Sequence, residues 1–406
     1  MRTGRPGGSA VDLSARRSKI IVNNKTYDFA VVGAGVFGAW TAHFLQRSGA
    51  SVALLDAYGP ANSRASSGGE TRVIRMGYGP DELYTRWAMR SLPLWREFGA
   101  RTGREIFRQT GVLWVGNEAD AYLKSLCIVL AQAGVKREEL KAEEIARRWP
   151  QLRFHDVTRG VLEPDSGLLL AREAVQMLVK ELAANGVDYI SFAANAPAGN
   201  GRLAHIKNTD GSSISAGTFI FCCGPWLPKL FPELLGNRIF PTRQEVFFLG
   251  VPAGSADFRP PRMPVWLHRT HAGLPYALPN IEGRGLKIAF DRHGDRFDPD
   301  TGIRVVAESS IVQLREYLQQ HIPALEHAPV LETRVCQYEN TWNGDFLIDR
   351  QPQFENVWVA GGGSGHGFKH GPALGEYLSA RILHGTPGEP SFSLAAKQTA
   401  QNRAVY

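Results

Sequence analysis

The hydrophobic pattern is clearest between residues 27 and 57, where the chain reads YDFAVVGAGVFGAWTAHFLQRSGASVALLDA. Residues 28–32 form a short apolar run of strand length, and residues 36–48 repeat apolar positions at helical spacing until Gly49 stops them. Residues 51–55 are a second apolar run, ending at Asp56. Further along, residues 82–98, 118–133, 143–148 and 171–185 carry helical patterns, the last ended by Gly186. Residues 113–115 (LWV), 203–206 (LAHI), 218–221 (TFIF), 285–290 (GLKIAF) and 357–360 (VWVA) read as strands, and 308–320 and 372–383 as helices. Residues 59–75, GPANSRASSGGETRVIR, read as a loop, and the Pro- and aromatic-rich stretch 241–280 as sheet walling a pocket. No repeat or long low-complexity tract occurs.

The first strand, helix and strand enclose Gly33, Gly35 and Gly38 in a GxGxxG turn. Gly33 permits the tight turn, Gly35 lets backbone approach a pyrophosphate, and Gly38 lets the helix pack on the strand. The helix start, at Val36 and Phe37, offers free N–H groups and a positive dipole end to phosphates. Asp56 can accept hydrogen bonds from ribose hydroxyls. The unit reads as a dinucleotide site, without distinguishing FAD from NAD. The late strand 357–360 leads into GGGSGHGFKHG and a helix, a second backbone cradle. A chain that opens and closes on such cradles suits one long ligand, which favours FAD.

Composition narrows the class. The 406 residues are 43% hydrophobic and 21% charged, an ordinary globular balance with length for two interleaved lobes. The net charge of +7 is uneven: residues 1–25 hold six basic residues against Asp12, a net of +5. The remainder lacks a basic field for nucleic acid. That Gly-, Ser- and Arg-rich tail is expected to be disordered. Arg16-Arg17 is followed by too short an apolar run for an export signal, and no run is long enough to span a bilayer. Cys127, Cys222, Cys223 and Cys336 lack metal spacing and are too few for a disulfide scaffold. A cytoplasmic protein without a metal is expected.

The GAGVFG fingerprint, SSGGETRVIR, the lysine of GLKIAFD, the cysteine of VCQYENTWNGDFLID and the loop GGGSGHGFKHG stand in one order over residues 27–394. Together they resemble the monomeric sarcosine oxidase family, with N-methyltryptophan and pipecolate oxidases, among the D-amino-acid-oxidase-like flavoproteins. The resemblance implies an α/β (α+β) fold, with a Rossmann-like FAD-binding domain (26–80, 160–240, 330–395) interleaved with a mixed-sheet substrate domain (81–159, 241–329). It implies FAD tethered through Cys336, a soft nucleophile able to form a thioether to the flavin 8α-methyl carbon. Ser66, Ser67, Thr71, Gly363, Gly365, His366, Gly367 and Lys369 join the GxGxxG residues and Asp56 as implied cofactor contacts. Lys287 is implied to lie under the flavin and assist dioxygen, where a fixed cation would stabilise developing negative charge. Otherwise it would be an edge-strand lysine with its head in water. Arg72 is implied beside the flavin, as a contact and catalytic group.

The same resemblance brings Arg75 and Lys369 onto a substrate carboxylate, a planar fork and a point charge. Tyr276 and Tyr338 would line the cavity; as plain residues they read equally well as aromatic core. The implied reaction oxidises a secondary α-amino acid, N-methyl or cyclic, to an imine, with dioxygen reduced to hydrogen peroxide by a monomer. Two positions depart from sarcosine-type members. Asp291, four residues after Lys287, replaces a histidine and can face the same cavity. Gly68 also replaces a histidine and is expected to leave room. Both favour a bulkier or differently charged amine than sarcosine. Competing readings are a flavin dehydrogenase with a non-oxygen acceptor, an NAD-dependent dehydrogenase, and a non-catalytic flavin binder.

Overall fold

The computed structural model describes residues 25–271, 273–292 and 294–398. The basic tail therefore lies outside the described residues, except Lys25, whose ammonium pairs with Asp188 at 2.6 Å. Three strands form the centre of a seven-stranded sheet: β1 (Thr26–Val32), β2 (Val52–Asp56) and Ser213–Phe221. β1 lies parallel between the other two, with Val32 opposite Leu55 on one side and Phe221 on the other. Val357–Gly361 continues the parallel order, and Asp188–Ser191 closes the other edge. The carboxyl ends of three neighbours thus coincide, at Gly33, at Cys222-Cys223 and at Gly361-Gly362. A doubly wound sheet binds its ligand at such an edge.

Helix α1 (Val36–Arg47) follows the first of these ends. Its sequence reads as amphipathic, yet residues 36–43 are all buried, because it is covered on both sides. The helix Gly371–His384 crosses so close that a Cβ on Gly375 would lie 2.6 Å from the Trp40 carbonyl carbon. The Trp40 ring meets Trp95 of α2 (Glu82–Thr102) edge to face at 5.2 Å.

An eight-stranded mixed sheet forms the second layer. It runs from Val330–Thr341 through Ile239–Leu249, Leu286–Asp291, Leu274–Leu278, Val265–His268 and Val112–Gly116 to Arg159–Glu163 and Glu138–Lys141. Alternate residues serve two cores. Trp114 and Leu267 face the cofactor-side core, while Leu113, Val115 and Trp266 pack beneath the helix Glu308–His321. Of the stretch 241–280, residues 241–249, 265–268 and 274–278 are sheet and the rest connects them.

Several elements differ from the sequence pattern. Residues 71–74, read as loop, form the strand β3 (Thr71–Ile74), which pairs with Gly167–Leu170. The helix expected from residue 118 starts at Ala121, because the Asp120 carboxylate caps it, accepting from Tyr122 N at 2.8 Å. α2 runs on to Thr102 and ends on Gly103 at φ +69°. The strand expected at 203–206 is His205–Lys207, since Leu203 N donates instead to Asn356 at 2.9 Å. Residues 330–341, grouped by resemblance with the cofactor domain, bond along Ile239–Leu249 in the eight-stranded sheet.

Candidate active site

At the first carboxyl end the backbone turns so tightly that a Cβ on Gly33, at φ +102°, would sit 2.4 Å from Cys222 O. A Cβ on Gly38 would sit 1.8 Å from Gly33 O, so the turn and helix need both glycines for their own packing. Gly35 is different. Its φ is −73°, and an added Cβ would meet nothing nearer than Ser67 Oγ at 3.4 Å. The protein alone leaves room for a side chain there, and a ligand passing over α1 would take that room. Val36 N donates to Ser67 Oγ at 3.1 Å, which draws residues 66–67 to the helix start.

Asp56 accepts from Ala34 N on Oδ2 (2.8 Å), and from Tyr58 N (2.9 Å) and Gly59 N (2.8 Å) on Oδ1. A carboxylate has about four lone-pair sites, so room for one more donor, such as a ribose hydroxyl, remains. Burial raises its pKa and these three bonds oppose the rise. One continuous crevice is lined by Gly33, Gly35, Val36, Phe37 and Asp56 at this end. Ser66, Ser67, Arg72, Cys336 and Tyr338 line its middle and far wall, and Gly363, Gly365 and Gly367 of the late cradle its side. The glycines, helix start and acid fit an extended dinucleotide.

At the far wall three predicted residues converge. Arg72 donates to Ser66 O and Thr71 O, both at 2.8 Å, and lies 3.7 Å from Cys336 Sγ. Gly69 makes room for it, since a Cβ there would be 2.2 Å from Nη1. Lys287 donates to the same Thr71 carbonyl at 2.8 Å. It belongs to an interior strand and is 4% exposed, so the solvated edge-lysine alternative does not describe it. Burial, then Arg72, pushes its pKa well below the usual lysine range.

Behind Tyr338 lies a buried polar cluster outside the crevice lining. The Arg75 guanidinium sits 4.3 Å from the Tyr78 ring centre and 4.7 Å from Trp114, and donates to Gly77 O. Lys369 donates to Tyr78 Oη at 2.6 Å and His366 O at 2.9 Å. The two cations, nearly 300 positions apart in sequence, are thus joined across one tyrosine. Burial and then Arg75 push Lys369 well down. Asp291 feels both cations and hydrogen-bonds Tyr338, while its Oδ1 is buried without a partner; burial raises its pKa to about 6. Tyr276 interacts with Tyr338 and is raised by burial and then Asp291.

Lys287 and Asp291 lie on one strand with different nearest partners, Thr71 and Arg72 for Lys287 and Tyr338, Arg75 and Lys369 for Asp291, and Tyr276 feels both Asp291 and Arg72. One expectation changes here. Gly68 does not open the site; a Cβ there would fall 2.0 Å from Asn62 O, so the turn itself needs glycine. The predicted His366 turns its ring into an aromatic cluster, stacked on Phe346 at 4.9 Å and edge-on to Tyr84 at 4.6 Å.

Three residues escaped the sequence reading. Tyr78 bridges Lys369 and His370 (2.7 Å). Glu163, 1% exposed, anchors the chain after Arg75 by accepting from Met76 N (2.7 Å), Gly77 N (3.1 Å) and Trp114 Nε1 (2.9 Å). Glu339 lines the crevice beside Gly363, with Oε2 buried and unpartnered and its pKa raised to about 7 by burial.

The family model described as "FAD dependent oxidoreductase" matches residues 28–381. Monomeric sarcosine oxidase of Arthrobacter sp. is 30% identical over 371 residues, covering 89% of this chain and 93% of that protein. Human peroxisomal sarcosine oxidase is 30% identical, covering 91% and 94%. N-methyl-L-tryptophan oxidase of Salmonella heidelberg is 29% identical, covering 89% and 96%. Among solved structures, L-proline dehydrogenase from P. horikoshii superposes with a TM-score of 0.82 at 20% identity, over 93% of this chain and all of that one. NikD, an amino acid oxidase of nikkomycin biosynthesis, gives 0.73 at 22%, over 93% and 98%. At these identities the two structures speak for the fold.

Proposed function

The chain belongs to the FAD dependent oxidoreductase family, and on that premise we propose that it oxidises a secondary α-amino acid, N-methylated or cyclic, to its imine, with dioxygen as acceptor. The relatives named for sarcosine and N-methyl-L-tryptophan support the substrate class. The observation that carries the reading is the convergence of Arg75 and Lys369 on Tyr78, next to the Arg72, Lys287 and Cys336 group.

FAD, when bound, supplies a two-electron acceptor. Gly33, Gly35, the start of α1 and Asp56 would hold its adenosine and pyrophosphate, and the loop 361–371 its flavin side. Cys336, half-buried on the crevice wall, is the proposed covalent tether. Arg75 and Lys369 bind the substrate carboxylate, with Tyr78 and Glu163 fixing the two cations. Carboxylate binding between two cations also favours the unprotonated amine, whose lone pair drives C–H cleavage without a protein base. Tyr276 and Tyr338 wall the site. Lys287, fixed by the Thr71 carbonyl, places a donor where negative charge develops on oxygen. Each turnover removes two electrons and two protons from the amine and delivers them to dioxygen.

In this reading segments 26–80, 160–240 and 330–395 serve the cofactor, the strand 330–341 doing so from the eight-stranded sheet through Cys336, and 81–159 and 241–329 serve the substrate, in a cytoplasmic monomer. No helix among the described residues is long and apolar enough to cross a membrane. The test is peroxide formed per amine consumed in air. One to one supports an oxidase; little peroxide, with turnover restored by an artificial acceptor, identifies a dehydrogenase.

A further inference from the structure

Away from the flavin crevice, two buried histidines and one exposed carboxylate meet. His268 ends the strand Val265–His268, His321 ends the helix Glu308–His321, and Asp156 lies in the turn before Arg159–Glu163. His268 is fully buried and His321 is 9% exposed, whereas the Asp156 side chain is 57% exposed. One donor atom of each lies within 4.8 Å of the other two. His268 is next in sequence to Leu267 but points to the opposite side of the sheet, so the cluster is separated from Arg75 and Trp114 by the sheet itself.

The histidines are oriented from behind. His321 Nδ1 lies 2.8 Å from Arg153 O, and a carbonyl only accepts, so this nitrogen carries the proton and Nε2 keeps its lone pair. His268 Nδ1 is held by Tyr317 Oη at 3.0 Å. Its Nε2 is buried and faces Asp156 Oδ1 at 3.3 Å, its one polar partner on that side. Such outer partners fix the rings of metal-binding histidines. The Phe154 ring packs over His268 at 4.8 Å, excluding water from one side. Two imidazoles and a carboxylate thus turn donor atoms to one point, with the rings held from behind and one side closed to water.

We propose that Asp156, His268 and His321 bind one divalent transition-metal ion of the zinc type. Imidazole and carboxylate donors suit such an ion, and the solvent side of Asp156 leaves a fourth position for water. Zinc holds such ligands at about 2.0–2.2 Å, which places neighbouring donors about 3.4 Å apart. His268 Nε2 and Asp156 Oδ1 already stand 3.3 Å apart, and all three donors lie within 4.8 Å of one another. The ion would clasp the turn and the helix end onto the sheet, as a structural element independent of the flavin chemistry.

The test uses the flavin-loaded enzyme without a histidine tag, treated with chelator. Co2+ is titrated as a spectroscopic probe and Zn2+ by equilibrium dialysis. The expected result is one equivalent bound, with visible d–d bands of tetrahedral or five-coordinate cobalt and a rise in Tm. Asp156→Asn, at an exposed position, and His321→Gln should each weaken binding at least about tenfold while leaving amine oxidation unchanged. Absence of the cobalt bands, or affinity undiminished in both variants, overturns the site. If His321→Gln folds poorly, Asp156→Asn decides alone, with Tyr317→Phe expected to weaken binding less.

Discussion

Asp291→Asn probes the substrate site most sharply. Burial lifts the Asp291 pKa from 3.8 to about 6 against the pull of Tyr338, Arg75 and Lys369. A rise of roughly two units corresponds to about 3 kcal/mol. Its sign follows from linkage: the folded protein holds this proton more tightly than the unfolded chain, so the contribution is full below pH 3.8 and is lost as pH rises through about 6. The functional consequence has the same direction. Below pH 6 a substrate carboxylate meets two cations and a neutral acid; above it, the acid is an anion. Like charges about 6 Å apart at an effective dielectric of about 20 repel by about 3 kcal/mol. Partial offset by the cations leaves about 1–2 kcal/mol, or roughly tenfold in affinity. The assay is binding of a simple carboxylate such as propionate, followed by perturbation of the flavin spectrum between pH 5 and 8. Wild-type Kd should rise about tenfold through a step near pH 6, and Asp291→Asn should lose that step. Weakening due to deprotonation of Lys369 would survive in the variant. A step near pH 6 that persists unchanged in Asp291→Asn refutes the reasoning.

Other consequences are equally direct. After acid precipitation yellow colour should stay with the wild-type protein and pass to the supernatant for Cys336→Ala; colour released from both would exclude the tether. Lys287→Met should slow reoxidation by dioxygen about 10²–10³-fold in stopped flow, with anaerobic reduction by substrate changed far less. Tyr78→Phe removes the hydroxyl that receives Lys369 at 2.6 Å. Bonds to charged groups contribute about 1.5–3 kcal/mol, so Tm should fall and KM for the amino acid should rise about tenfold or more, while the flavin content stays stoichiometric.

The dinucleotide unit was legible because each of its requirements is local: strand, turn glycines, helix and terminal acid occur within about thirty residues. Gly33 and Gly38 are required by the protein's own packing, whereas space stands open over Gly35, a distinction only the backbone reveals. Arg72, Lys287 and Cys336 were legible only through the motifs that carry the resemblance, and their meeting depends on β3 and on the long strand Val330–Thr341. Arg72 in β3, and Glu332, Arg334 and Glu339 in the long strand, obscured both from a reading by apolar pattern, and sheet pairing accommodates them. Tyr78 and Glu163 read as an ordinary aromatic and an ordinary acid, since their partners lie up to 292 and 87 positions away. Gly68 misled for the opposite reason: a local turn, not the substrate, dictates it.

The most direct test of the account mixes the flavin-loaded enzyme with single amino acids under strict exclusion of oxygen and follows the flavin absorbance. N-methyl and cyclic α-amino acids should bleach the flavin rapidly, and the corresponding primary amino acids and decarboxylated amines should not. Bleaching by primary amines alone, or equally by amines lacking the carboxylate, would contradict the assignment of Arg75 and Lys369 and the substrate class built on them.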